Sequence, residues 1–388
     1  MPRFNPLVDG LAPPPVPAVQ AWARSYRGAH GPLIDLSQAV PGYPTHPDLL
    51  AWLGEAAASP ACSGYGEIEG DRSLRAAYAD HQAVLYGAWV AAEHIHVTSG
   101  CNQAFVVAAL AVAGAGDAIL MTDPCYFNHE TSLRMLGIGT RYVRCLPANG
   151  FLPSPSDVAE AITPDVRALA IVSPNNPTGA VYPPELLSEL LDLCRARGIW
   201  LILDETYRDF LPPDARRPHA LFATPDWHAN LIGLYSFSKS FCIPGHRLGA
   251  ITAGTRTIEQ IAKIMDNVQI CAPRPPQAAV AKALPALASW REENRSEIAR
   301  RADALQEAIA EAPGWEIGAM GAYFAFVRHP MAGVASADAA RLLATEHGIV
   351  TIPGTFFGSD NERYLRFAFA NADVPTIRTL SRRLPAGP

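Results

Sequence analysis

At 388 residues the chain is too long for one small core, so it calls for two domains sharing a cleft or one large α/β domain with an appendage. A hydrophobic content of 49%, 18% charged residues and a formal charge of −6 are those of an ordinary soluble globular protein and argue against a polyanionic partner such as nucleic acid. The seven cysteines (62, 101, 125, 145, 194, 242 and 271) show neither paired short spacing nor clustering with histidines, which argues against a disulfide framework or a zinc site and fits reduced thiols in the cytoplasm.

The opening Met1-Pro2-Arg3-Phe4-Asn5-Pro6 lacks a basic stretch followed by an apolar core, so no export signal is predicted. No uninterrupted run of about 18 apolar residues suggests a membrane span. Residues 1–18 are rich in proline, which predicts an extended arm lying on the surface or on a partner subunit. From about residue 94, β-rich runs at 94–99, 118–122, 140–145, 168–173, 200–204, 231–236 and 248–253 alternate with helical patterns. Runs apolar along their whole length, such as Trp200-Leu201-Ile202-Leu203, belong in a mainly parallel sheet covered on both faces. A charged helical stretch at 289–312 reads as a connector. Strands near 315–318, 323–327, 350–352 and 364–369, with a helix near 336–346, read as a smaller α+β unit. The predicted organisation is an arm and part of the small domain over 1–45, a large domain over 46–288, and the connecting helix with the small domain over 289–388.

In open α/β sheets ligands bind outside the carboxyl ends of the strands, so polar residues that follow apolar runs are the candidates for chemistry. Four clusters qualify: Thr98-Ser99-Gly100-Cys101-Asn102-Gln103, Ser173-Pro174-Asn175-Asn176-Pro177-Thr178-Gly179, Asp204-Glu205-Thr206-Tyr207, and Ser236-Phe237-Ser238-Lys239 followed by Gly245-His246-Arg247. Lys239 and Arg247 put an amine and a fixed cation on the same side of a sheet edge, which suits a phosphorylated aldehyde. Asn-Pro-Thr-Gly alone reads equally well as an ordinary turn.

Together, in type, order and spacing, these segments resemble the class I/II aminotransferases of the fold-type I family, enzymes dependent on pyridoxal 5′-phosphate (PLP), from about Asp35 to Phe369. The resemblance implies a large domain with a mainly parallel seven-stranded sheet, a smaller α+β domain and PLP as cofactor. It implies that Lys239 forms the Schiff base with PLP and, once released, moves the substrate proton. Arg247 would hold the phosphate bidentately, with Ser236, Ser238 and the helix start at Gly100, Cys101 and Asn102 adding donors. Asp204, a carboxylate costly to bury unpaired, would face the protonated ring nitrogen. Asn176 and Tyr207 match positions that bond the cofactor 3′-oxygen, and Tyr126 matches the residue stacked on its ring. Tyr65 matches the tyrosine that reaches the phosphate of a neighbouring subunit, which implies a homodimer with shared sites. Arg366, an arginine on an apolar strand, would bind the substrate α-carboxylate, next to Asn176.

The chain departs from the family in places. The glycine of the loop Leu36-Ser37-Gln38-Ala39-Val40-Pro41-Gly42 is displaced, and Arg274 is either a distal carboxylate ligand or a loop cap. The lack of a clear distal arginine favours a neutral or aromatic donor. His129 and His246 are unusual enough to follow. The function implied is transfer of an amino group from an L-amino acid to a 2-oxo acid. The alternatives are another carbanion reaction on the same scaffold (β-elimination, racemisation or oxidation) and a ligand-sensing module, against which the absence of a helix-turn-helix segment and of a basic patch argues.

Overall fold

Aliphatic residues occupy consecutive positions in Val166–Val172, Trp200–Asp204 and Leu231–Ser236, so both faces of these segments need cover. In the computed structural model, which describes residues 2–213, 215 and 217–386, they are central strands of one sheet. In chain order the strands are β1 (Ile34–Asp35), β2 (Ile95–Thr98), β3 (Ala118–Asp123), β4 (Gly139–Arg144), β5 (Val166–Val172), β6 (Trp200–Asp204), β7 (Leu231–Ser236) and β8 (Gly249–Thr252). After the connecting helix come β9 (Glu316–Gly321), β10 (Phe324–Arg328), β11 (Ile349–Val350), β12 (Ile352–Pro353) and β13 (Tyr364–Phe367).

Strands β2 to β8 form a seven-stranded sheet in the order β2-β8-β7-β6-β5-β3-β4. Its pairs are parallel except those of β8, which runs antiparallel to both neighbours. The two-residue period divides each strand between two cores. Leu201 and Leu203 pack with Leu169, Leu190 and Tyr235 on one face, and Ile202 packs with Ala104, Ile232 and Ile251 on the other. Each such side chain contributes roughly 1.5–3 kcal/mol relative to leaving it in water. The reversal of β8 matters for the site: Gly249, its first residue, pairs with Thr98 and with Ser236, so the chain entering β8 arrives at the edge where β2 and β7 end.

The helix Ala288–Ala310 follows, as the charged stretch predicts. It buries Asn294, Ile298, Arg301, Leu305 and Ala308, a stripe spaced by three or four residues, and turns most of its other charges outward. Beyond it, β9, β10, β12 and β13 make a four-stranded antiparallel sheet, while β1 and β11 pair in parallel as a separate ribbon. The strand predicted at 350–352 is therefore two, since the chain passes from one sheet to the other at Thr351. The predicted helix at 336–346 is α-helical over Ser336–Leu342 and ends in a π turn, Leu343–His347, closed by Gly348 in the left-handed region. The strand predicted to reach residue 369 stops at Phe367, and a 3₁₀ turn follows at Phe369–Asn371.

The proline-rich segment is not an extended arm. Pro6–Asp9 and Pro15–Ala23 are helices with proline in the first turn, where the missing N–H leaves no intrahelical bond unmade. Val19 and Trp22 of the second helix pack with Phe326, Val350 and Ile352 of the same chain.

The loop after β5 meets the smaller sheet backbone to backbone. Gly179, at φ +76°, is where they touch: a Cβ there would lie 2.3 Å from the Phe324 carbonyl oxygen and 2.5 Å from the Gly321 nitrogen. Gly179→Ala is expected to lower stability by roughly 2–5 kcal/mol, the left-handed penalty plus the overlap, measured by denaturant unfolding. A loss under about 0.5 kcal/mol, the range of a neutral surface change, would mean the contact is not needed.

Candidate active site

The carboxyl ends of β5, β6 and β7 and the amino end of β8 meet at one edge of the large sheet. A cavity of about 160 Å³ lies there, lined by Cys101, Asn102, Tyr126, Asn176, Asp204, Tyr207, Ser236, Ser238, Lys239 and Arg247, with Val172, Thr206 and Pro244. The first ten are residues singled out from the sequence. The last three carry no signal beyond standing beside them.

Lys239 lies in the short helix Phe237–Ser240, whose start Ser236 caps by accepting the Ser238 amide at 3.3 Å. Its Nζ donates to the Ala39 carbonyl in the N-terminal loop. Burial first, then the guanidinium groups of Arg366 and Arg247, lower the amine pKa to about 8. Near physiological pH the amine is still mostly protonated, but an appreciable minority is neutral, far more than for an ordinary lysine.

Arg247 follows the turn Pro244–His246 in the left-handed region, at φ 51°. It donates to the Pro244 carbonyl at 3.0 Å and approaches the Ser99 carbonyl at 3.5 Å. It also lies against Gly100, at φ +86°, where a Cβ would be 2.4 Å from Nη2. Gly100 caps the helix Cys101–Val112, whose first amides have no intrahelical acceptor. The Ser238 hydroxyl, buried and without a hydrogen-bond partner, stands in the same group. Guanidinium, free amides and an unused hydroxyl make one end of the cavity an anion cradle.

Asp204 ends β6 with 5% exposure. Its carboxylate accepts the Thr206 amide at 2.9 Å and lies 3.4 Å from Nε2 of His129. Burial pushes its pKa up, yet His129 and Thr206 outweigh burial and hold it below the usual carboxylate range. His129 is stacked on Phe105, ring centroids 3.7 Å apart, and meets the Tyr126 ring edge-on at 5.2 Å. It stands 75 residues before Asp204 in the chain, which left only its proximity to Tyr126 as a sequence signal.

The turn after β6 is anchored on its far side. Glu205 points away from Asp204 and is bonded by the Tyr86 hydroxyl at 2.7 Å and by His219 at 3.0 Å. Arg208 donates to the hydroxyls of Tyr86 at 2.7 Å and Tyr78 at 3.0 Å. This buried network fixes the segment that carries Asp204, Thr206 and Tyr207. The Tyr207 phenol is buried, which holds it neutral and able to donate.

Arg366 on β13 has 3% exposure and only neutral partners: Nη1 donates to Asn176 Oδ1 at 2.9 Å, Nη2 to the Ser37 carbonyl, and Nε has none. Phe324 and Phe357 flank the guanidinium at 4.9 and 5.0 Å. Burial lowers its pKa to about 10. A buried guanidinium with only neutral partners has the chemistry to take an anion.

Three residues singled out from the sequence lie elsewhere. Tyr65, 80% exposed, does not line this cavity. Arg274 pairs with Asp71 at 3.0 Å and donates to the Ala61 carbonyl, so it closes the loop 61–71. His246 is exposed in its turn.

The family model "Aminotransferase class I and II" matches residues 31–384. An aromatic aminotransferase of Arabidopsis thaliana is 28% identical over 376 residues, 95% of this chain and 93% of the relative. An aspartate aminotransferase of Pyrococcus horikoshii is 27% identical over 353 residues, 90% of this chain and 89% of the relative. Among solved structures, a double mutant of the Thermus thermophilus aspartate aminotransferase superposes with a TM-score of 0.90 at 27% identity, covering 99% of both chains. With a family model spanning the sheet, the connecting helix and the smaller unit, the chain belongs to the class I and II aminotransferases, a family of PLP-dependent enzymes.

Proposed function

We propose that this chain binds PLP and moves the amino group of an L-amino acid to a 2-oxo acid. The observation that carries the reading is Arg366, a buried cation with neutral partners and an unused Nε, bonded to the cavity residue Asn176 and close enough to Lys239 to help lower its pKa to about 8. An α-amino acid brings the carboxylate the one needs and the α-proton the other can take.

The residues fit the cofactor. The cradle of Arg247, the amides after Gly100 and the Ser238 hydroxyl suits a phosphate, and the ionised Asp204 suits a protonated pyridine nitrogen. Asn176 and Tyr207 offer an amide and a phenol to the ring oxygen, and Tyr126 an aromatic face. When bound, PLP supplies an electron-withdrawing ring that stabilises negative charge at the substrate α-carbon. Arg366 orients the donor by its carboxylate, and the neutral amine of Lys239 takes the α-proton. His129 and Thr206 keep Asp204 charged throughout.

A homodimer belongs to the same reading: Tyr65 is exposed, as a residue completing a neighbour's site requires, and Val268 and Ile270 are exposed as well. Among the described residues no helix is long and apolar enough to cross a membrane, which is compatible with the cytoplasmic location inferred from the cysteines.

Given an amino acid and no acceptor, the PLP-loaded protein is expected to release one equivalent of 2-oxo acid per site and no ammonia. Continuous ammonia release would replace transfer by elimination. Lys239→Ala should lose turnover, and wild-type activity in it would refute the mechanism. Arg366→Gln should lower kcat/KM by about 10- to 100-fold, the worth of charge-assisted hydrogen bonds to a carboxylate.

The Lys239 pKa gives a pH test. In protein freed of cofactor, the rate at which Lys239 condenses with an aldehyde should rise through pH 8 and level off above it, because only the neutral amine reacts. Arg366→Gln removes one of the lowering charges and should move that midpoint upward; an unchanged midpoint would tell against the coupling. The stability linkage has the same sign. Between about pH 8 and the usual lysine value of 10.5 the unfolded chain binds the extra proton, so this residue's contribution to stability increases with pH across that window.

A further inference from the structure

A second cavity, about 570 Å³, adjoins the first, and Tyr126 lines both. We infer that it is the side-chain pocket for the amino donor and that the donor is large and apolar, with an aromatic ring the best fit. This rests on the aminotransferase reading above. A donor with its carboxylate on Arg366 and its amine toward Lys239 has its side chain left to place, and the groove that shares the Tyr126 ring with the first cavity is the space assigned to it.

The clamp and the groove are joined by a run of rings. The Arg366 guanidinium lies 5.0 Å from the Phe357 ring, which meets Phe127 at 5.4 Å. Phe127 and Phe356 then form one wall of the groove. The facing wall is Leu11, Pro13 and Val16, from the segment that enters the helix Pro15–Ala23. Prolines at 13, 14 and 15 fix φ along that wall, so it is held in shape before a ligand arrives.

Charge decides between donor classes. Arg134 is the single cation among the lining residues, and it stands eight residues beyond Tyr126, about 12 Å along the helix. The side-chain carboxylate of aspartate or glutamate ends well short of it and meets Glu130 on the way. Asn128 is held on the Tyr126 hydroxyl at 2.7 Å, and Arg274 is committed to Asp71. An acidic side chain would be desolvated here without a counter-ion, whereas an aromatic one exchanges water for Phe127, Phe356 and Val16.

The test is kcat/KM of the holoenzyme for phenylalanine, leucine, alanine, aspartate and glutamate with one common 2-oxo acid. Phenylalanine is expected to exceed both acidic donors by at least about tenfold. Phe356→Ala should lower the phenylalanine-to-alanine ratio by about 10- to 100-fold, the loss that accompanies removal of a buried aromatic contact. Should that variant not fold, Thr131→Lys, which brings a cation to the groove on a helix that tolerates lysine, should raise the glutamate-to-phenylalanine ratio about tenfold. Preference for aspartate or glutamate in the wild type, or ratios unmoved in the folded variants, overturns the pocket and leaves amino transfer standing. Failure of every donor, alanine included, overturns the reading beneath it.

Discussion

Lys239 and Arg247 line one small cavity, and the charge of Arg366 also reaches Lys239, so three cations act there against the single lining carboxylate of Asp204. Positive charge in that excess is costly to hold away from water; Arg247 stays exposed, while backbone carbonyls meet the cost for the other two, Ala39 for Lys239 and Ser37 for Arg366. Neutral acceptors solvate these groups without discharging them. Such a field favours anions, and it adds to burial in lowering the Lys239 amine.

The arrangement depends on both sides of the β6 turn. Asp204 and Glu205 are adjacent in sequence and face opposite ways, one toward the cavity and one into a buried set of hydroxyls, His219 and Arg208. Two neighbouring carboxylates thus have separate tasks, and each stays ionised in a buried place because its own partners outweigh desolvation. The reversal of β8 is the second requirement. A parallel β8 would start at the far edge of the sheet and leave Arg247 remote from Lys239.

Much of this could be read from the chain, because strand ends followed by polar residues are local signals. Lys239, Asp204, Asn176 and Arg247 each sit within a few residues of an apolar run, and the continuous apolar, β-rich character of those runs located the strands that carry them. What was hidden is what the tertiary fold contributes. Ser37 and Ala39 act through their carbonyls, so their side chains give no hint of it. His129 serves Asp204 across a gap of 75 residues that only the packing of a helix on the sheet closes. The N-terminal prolines misled for a related reason: proline forbids a helix interior but favours its first turn, and the choice was settled by the apolar surface of β11 and β12 waiting for Val19 and Trp22.

The ribbon of β1 and β11 has a further consequence for the order in which the molecule becomes competent. Ile34 and Asp35 find their strand partner only at Ile349 and Val350, and it is this pairing that brings Ser37 and Ala39 to the two cations. During synthesis, residues near the start of the chain must therefore wait for residues near its end. The large sheet can assemble well before then, with Lys239 and Arg247 in place but the N-terminal loop not yet over the lysine, so the interval between sheet formation and ribbon closure is the period in which a bound anion would do most to protect the growing protein.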